Sequence, residues 1–327
     1  MVIRDFPSRP TGVEWPTIAL AALIYGLWLS ATFFHDRLPL IVLVAIGGWT
    51  TAWQMNLQHE VIHGHPTRNR WINRMIGFWP LALWLPFALY RRTHLQHHND
   101  ERLTDPLDDP ESYYWTSEHW DAAGAFGRGI VRLQATLLGR ILIGPIWAAS
   151  RLWIVEGRRI ARGDSEASRA LLIHLLQAAP VLIWIKLVCG MPFVTYLIGF
   201  VYAGTALAMV RSFAEHRAES EAERRTAIVE RSWVFGTLFL FNNLHVAHHM
   251  RPSLAWYLLP RWYKHNRAAL IERNGGLVYD SYLDIFRRYL LRRHDQSLHP
   301  FRPSVAMPPQ WAVDRLNKAE QPAHTSL

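Results

Sequence analysis

Cysteine is almost absent from this sequence: among 327 residues only Cys189 is one. An intrachain disulfide is thereby excluded, as is a thiolate cage for zinc or for an iron–sulfur cluster. The chain also lacks a Gly-x-Gly-x-x-Gly dinucleotide fingerprint and a His-Pro-Gly-Gly segment of the kind that marks a fused haem domain, so no electron relay of its own is visible. Acidic residues are outnumbered, 26 Asp and Glu against 35 Lys and Arg, for a formal charge of +9. Neither an internal repeat nor a low-complexity block is found. What stands in their place is hydrophobic sequence (50%), with 16 tryptophans and 17 histidines.

The hydrophobic residues are bunched. Residues 15–34, 38–57 and 191–210 are each 20 residues without a charge, and 170–188 is interrupted only by His174 and Lys186 near its ends. At about 1.5 Å per helical residue each crosses roughly 30 Å of hydrocarbon, so the pattern predicts an integral membrane protein rather than buried helices of a soluble one. The first apolar run is too long for a signal-peptide core and a second follows at once, so no cleavable signal is expected. The runs pair across His35-Asp36-Arg37 and across Cys189-Gly190, which predicts two helical hairpins. Arg68, Arg70, Arg74, Arg91 and Arg92 follow the first pair, and Arg158, Arg159, Arg162 and Arg169 precede the second. The positive-inside rule then puts both termini and both large polar regions in the cytoplasm. The basic residues flank membrane spans and form no separate domain, which argues against nucleic-acid binding.

Between the hairpins, residues 75–90 are apolar but broken by Pro80 and Pro86, which predicts a short re-entrant or interfacial segment. The stretch "TDPLDDPES" reads as turns. Residues 130–155 mix Leu and Ile with Arg132, Arg140 and Arg151, as in a helix lying on the membrane surface. Residues 232–241 are too short to span and are expected to pack inside the protein or at the interface. Residues 1–299 are read as one membrane domain and 300–327 as a weakly ordered tail.

The histidines carry the strongest signal. Ten fall in four groups: His59, His63 and His65; His94, His97 and His98 in "HLQHH"; His216; and His245, His248 and His249 in "HVAHH". His59-Glu60-x-x-His63 alone is the spacing by which a zinc protease holds its metal, with the glutamate as general base. A protease site needs three ligands, however, and this chain offers nine or ten on one predicted side of the membrane. On a helix, positions i, i+3 and i+4 share a face, so in His-x2-His-His the first and either later imidazole can meet one metal while the adjacent pair diverges to two. The surplus points to a two-metal site.

Three boxes in this order, "HEVIH", "HLQHH" and "HVAHH", with a hairpin before the first and another before the third, resemble the integral membrane fatty acid desaturases and their hydroxylase relatives over residues 13–252. The resemblance implies an all-α membrane fold of four spans under a cytoplasmic helical cap, with two iron ions held by His59, His63, His94, His97, His98, His245, His248 and His249. In that family a further histidine stands 29 residues before the third box, where this chain has His216, so His216 is the implied ninth ligand. Some relatives carry an Asn four residues before it as a water-mediated ligand; here that position is Ser212. Asn242 is read as a supporting or capping residue, or as the substitute. His65, two residues past His63, points to another helix face and is read as a supporting residue beside the metal shell. Glu60 and Glu215 are candidates to orient an imidazole or to pair with an arginine, and Asp105, Asp108 and Asp109 are candidates to support the imidazoles but are read chiefly as turn formers. His35, His119, His174, His265, His294, His299 and His324 are scattered and expected to take no part.

The resemblance further implies dioxygen-dependent oxidation of an acyl chain at the membrane, with electrons from a separate ferredoxin or cytochrome b5-type carrier docking on a basic face that includes Arg91 and Arg92. Desaturation of a fatty acyl group is the default. A hydroxylase, a ketolase or a desaturase of a small amino-acid-derived metabolite such as dihydrorhizobitoxine shares the scaffold. An intramembrane zinc protease using Glu60 leaves both His-x2-His-His triplets without a role, and a metal transporter would place its ligands inside the spans rather than beyond them.

Overall fold

The computed structural model describes residues 12–301, and the fold is helical throughout apart from one two-residue parallel pair, β1 (Ile228–Val229) with β2 (Val278–Tyr279). The tail expected beyond 300 falls, from 302 on, outside the described residues. The four runs read as spans form α1 (Trp15–Phe33), α2 (Leu40–Ile62), α8 (Ser165–Val188) and α9 (Phe193–Phe213). Between them lie α3 (Arg70–Ile76), α4 (Phe87–His97), α5 (Ser117–Ala122), α6 (Gly124–Gln134) and α7 (Leu137–Ala161). After α9 come α10 (Trp233–Leu238), α11 (His245–Met250), α12 (Leu259–Arg273) and α13 (Tyr282–Tyr289).

Among the described residues five helices are long and apolar enough to cross a membrane, and the one besides those four is α7, which absorbs most of the stretch 130–155. At 25 residues its length is about 37 Å. Both of its ends nevertheless lie beside the same layer. Near its start the Arg140 guanidinium sits 5.6 Å from the Phe213 ring, three residues before His216. Toward its end Glu156 accepts from Arg92 at 2.5 Å, two residues before His94, and also pairs with Arg159.

The two hairpins meet where α2 crosses α9 through small residues. A Cβ on Gly47 would lie 2.7 Å from the Gly199 carbonyl, and one on Gly204 would lie 2.5 Å from Thr51 Cβ. Apolar helices in lipid gain little by hiding from water, so close backbone approach and van der Waals packing hold them together. A π-helical turn over Leu197–Tyr202 falls at this same crossing.

Pro80 and Pro86 keep residues 77–86 out of any helix, which frees their carbonyls. Side chains of the surrounding helices take them up. Gln54 donates to the Trp79 carbonyl, Tyr196 to that of Leu81, His174 to that of Leu83 and Trp153 to that of Trp84, all within 3.0 Å. Irregular backbone at membrane depth survives only when buried and satisfied in this way. Leu81, fully buried, anchors the segment in the core formed by α1, α2, α8 and α9. His174, read from sequence as unrelated to metal, is one of its supports and lies in neither histidine group. Residues 232–241 pack inward through Gly236, Leu238 and Phe239, while Trp233 and Val234 stay on the surface.

Candidate metal centre

α2 runs past the apolar stretch for one more turn, and this extension places His59 and His63, four residues apart, on one face. The helix stops at Gly64, whose φ of 95° is a conformation that a residue without a Cβ adopts freely. His94 and His97 occupy the last turn of α4, with His98 as its C-cap. His216 follows the end of α9, where its strand-like bridge to Thr226 fixes the backbone. α11 carries His245, His248 and His249.

These nine imidazoles converge in two groups, His59, His63, His94, His98 and His248 in one and His97, His216, His245 and His249 in the other, with ligand atoms in each group within 4.8 Å of one another. Each His-x2-His-His triplet divides: its i and i+4 members share a group and its i+3 member crosses to the other. In the first group the Nε2 of His94 lies 3.0 Å from that of His63 and 3.1 Å from that of His98, and His98 lies 3.0 Å from His248. In the second, His216 Nε2 is 3.0 Å from His97 Nε2 and from His245 Nε2.

The opposite ring nitrogens decide what these approaches mean. His94 Nδ1 donates to Glu111 at 3.0 Å, His97 Nδ1 to Asp109 at 2.9 Å, His216 Nδ1 to the Arg225 carbonyl at 3.2 Å and His245 Nδ1 to Asn242 Oδ1 at 3.0 Å. A neutral imidazole that donates through Nδ1 presents a lone pair at Nε2. The Nε2 atoms therefore aim lone pairs at common points, an arrangement that repels itself without a cation and fits one with it. Burial, aided by neighbouring imidazoles, holds His94, His98, His216, His245, His248 and His249 below the ordinary histidine range, which keeps them in the neutral form a metal needs. His97 departs from this: burial lowers it, but Glu111 and Asp109 outweigh burial and push it up to about 9.

The carboxylates behind the imidazoles were only partly visible in sequence. Asp105 does form a turn, accepting from the amides of Leu107 and Asp108. Asp109, four residues on, is buried against His97, and Glu111, which sequence reasoning missed, supports His94. Their only signal was proximity to "HLQHH" in a turn-rich stretch. Glu60 lies 3.5 Å from His59 Nδ1 and accepts from the Trp256 amide at 3.3 Å, behind the imidazole rather than in front of it. Glu215 pairs with Arg211 at 3.0 Å and approaches His245 Nδ1 at 3.3 Å, and its burial, against the pull of Arg211, pushes it up to about 7. Asn242 bridges the groups, its Nδ2 3.2 Å from His59 Nε2 and its Oδ1 on His245. Ser212 joins neither group. His65 lies outside both and bonds Glu14 Oε1 at 2.6 Å. Of the outlying histidines, His294 meets Tyr279 and His299 approaches Thr104, while His324 lies outside the described residues. Arg92 is engaged by Glu156, leaving Arg91 exposed on that face.

A cavity of about 590 Å³ opens beside the second group. His216, Asp109 and Glu111 line its metal end; Trp115, Trp147, Ile154 and Val155 line its apolar wall.

The model of the fatty acid desaturase family matches residues 36–282, a stretch that contains all nine imidazoles. The chain is 25% identical over 283 residues to an sn-1 oleoyl-lipid 12-desaturase of Arthrospira platensis, covering 77% of each. With three histidine boxes inside the matched stretch and three quarters of its length matched, the protein belongs to the fatty acid desaturase family and is an oxidoreductase.

Proposed function

We propose that the protein is a dioxygen-dependent desaturase that introduces a double bond into an acyl chain, with one iron held by His59, His63, His94, His98 and His248 and a second by His97, His216, His245 and His249. The observation that carries this reading is the convergence of two sets of imidazoles, four of which (His94, His97, His216 and His245) already commit their Nδ1 to an acceptor. Imidazole donors without thiolate suit iron, which when bound supplies the redox chemistry with dioxygen that an unactivated C–H bond requires. The chain's own groups set the geometry. Asp109 and Glu111 hold His97 and His94 in one tautomer, Asn242 ties the two groups together, and Trp115 and Trp147 shield the cavity wall from water.

The proposed topology is four spans, α1, α2, α8 and α9, with α7 lying along the membrane surface, supported by the engagement of both its ends at the histidine layer. The arginine-rich flanks support a cytoplasmic position for the metal centre and both termini, and residues 1–299 are taken as one membrane domain. Dioxygen takes four electrons and a desaturated substrate yields two, so a separate carrier of ferredoxin or cytochrome b5 type is proposed, meeting a basic face on which Arg91 is free of Glu156. The protease reading loses its ground: His59 and His63 join three further histidines, and Glu60 stands behind His59.

The test is elemental analysis of detergent-purified protein together with product analysis after expression in cells that supply the acyl chains. Two irons per chain, with loss on His97→Ala or His248→Ala, and a new double bond in the lipid or fatty acid fraction are expected. A hydroxylated product at the same carbon would replace desaturase by hydroxylase; a single zinc that survives both substitutions would overturn the reading.

A further inference from the structure

Three buried polar atoms without hydrogen-bonding partners line the cavity described above: Arg140 Nη1, Gln134 Oε1 and Ser297 Oγ. These residues are only 6%, 4% and 8% exposed. Arg140 is the most costly of the three. A guanidinium stays charged at any pH the protein meets, and a buried charge without a counter-charge is among the least favourable groups a fold can hold. The carboxylates that line the same cavity are all engaged elsewhere: Asp109 with His97 and the Thr104 amide, Glu111 with His94, and Asp295 with the Tyr114 hydroxyl. What surrounds Arg140 is aromatic. Its Cζ lies 3.3 Å from the centre of the Tyr113 ring and 5.6 Å from that of Phe213, and its Nε donates to the Gln134 carbonyl. Stacked between rings, the guanidinium has its planar edge left for pairing, the geometry that suits a carboxylate.

The place of Arg140 relative to the metal groups gives this pairing a consequence. Tyr113 is two residues from Glu111, which holds His94, and Phe213 is three residues from His216. The cavity that Arg140 lines is also lined by His216 of the second group and by Asp109 and Glu111, which hold His97 and His94. Arg151 and Arg158, both exposed, line the cavity as well and favour entry of an anion.

We propose that Arg140, assisted by the Ser297 hydroxyl, binds the carboxylate of a free acid substrate whose chain lies in the same cavity, beside His216. An acyl group esterified to a glycerolipid presents only an uncharged ester and leaves Arg140 unpaired. This deepens the desaturase reading and rests on it only for the identity of the reaction, since the binding itself is read from the cavity.

The experiment measures equilibrium binding of radiolabelled octanoate and dodecanoate, against their methyl esters, to the purified full-length protein in detergent. Wild type is expected to prefer acid over ester by about tenfold or more. Arg140→Gln is expected to erase that preference while binding the ester as before, and Arg140→Lys to retain part of it. Equal binding of acid and ester by wild type overturns the proposal without any variant, as does a folded Arg140→Gln protein that keeps the preference. Acid preference in a protein that yields no oxidised product would leave the site standing and remove the reaction; oxidation of lipid esters by a protein indifferent to free acids would do the reverse.

Discussion

Asp109→Asn tests how far the metal groups depend on what lies behind them. Asp109 is 3% exposed, and one of its oxygens accepts from His97 Nδ1 at 2.9 Å and from the Glu111 amide at 2.9 Å. Its other oxygen accepts from the Thr104 amide at 2.9 Å, at a residue whose φ of 68° is strained for a β-branched side chain. Asparagine keeps the shape but has one acceptor oxygen, and both of its orientations fail. With the oxygen on His97, an amide N–H₂ faces the Thr104 N–H and a buried donor loses its partner, at a cost of about 1–3 kcal/mol. With the oxygen on Thr104, the amide donates to His97 Nδ1, which must accept, and the ring proton moves to Nε2, where it blocks the metal. Loss of such a supporting carboxylate typically weakens metal binding 10–100-fold, about 1.4–2.7 kcal/mol. The assay is iron retained against a graded chelator series, with thermal unfolding of the same samples in parallel. Iron retention within twofold of wild type together with unchanged unfolding would refute the claim that Asp109 fixes the His97 tautomer.

Other consequences are as direct. His65→Ala should leave iron content at the wild-type value while lowering stability through loss of the Glu14 contact, whereas His63→Ala should lose iron; elemental analysis of both separates supporting from ligating histidines. Gly204→Ala should destabilise by about 1–3 kcal/mol through overpacking against Thr51, while Gly26→Ala, with open space around it, should be neutral or stabilising by up to about 1 kcal/mol; unfolding in detergent compares them. Burial lowers His294 from 6.5 to about 4, so between these values the unfolded chain binds the extra proton. Its contribution is whole above the unfolded value and is lost as pH falls toward the folded one, about 3 kcal/mol in all. The fall in melting temperature from about pH 7.5 to about pH 4.5 should be smaller in His294→Asn than in wild type.

The spans and the nine imidazoles were legible because each leaves a local trace: a 20-residue apolar run, or histidines at i, i+3 and i+4. That each triplet divides between two groups was open to geometric reasoning, but which later imidazole joins the first was not, since i+3 and i+4 both share its face; the structure groups i with i+4. Glu111 and Asp109 were not legible in this way. They come from a turn 11 to 13 residues beyond the end of the box they support, and nothing in the spelling of "TDPLDDPES" distinguishes the aspartate that caps a turn from the one that holds a ring. Arg140 reads in sequence as one of several arginines on an amphipathic helix; that it points among aromatic rings, away from any acid, depends on Tyr113 and Phe213 arriving from distant elements.

Both nitrogen groups draw on the same distant parts of the chain. α4 and α11 each contribute to both, α2 completes one and the turn after α9 completes the other. During synthesis, then, neither group is complete until residues 248 and 249 have emerged, after the second hairpin that meets the first across Gly47 and Gly204. Uptake of both metals is thereby tied to completion of the chain. A fragment released early offers four of the five imidazoles of the first group but only His97 of the second, enough for one metal and too few for two. The nascent protein is in this sense kept from assembling a two-metal centre before it has the walls to contain it.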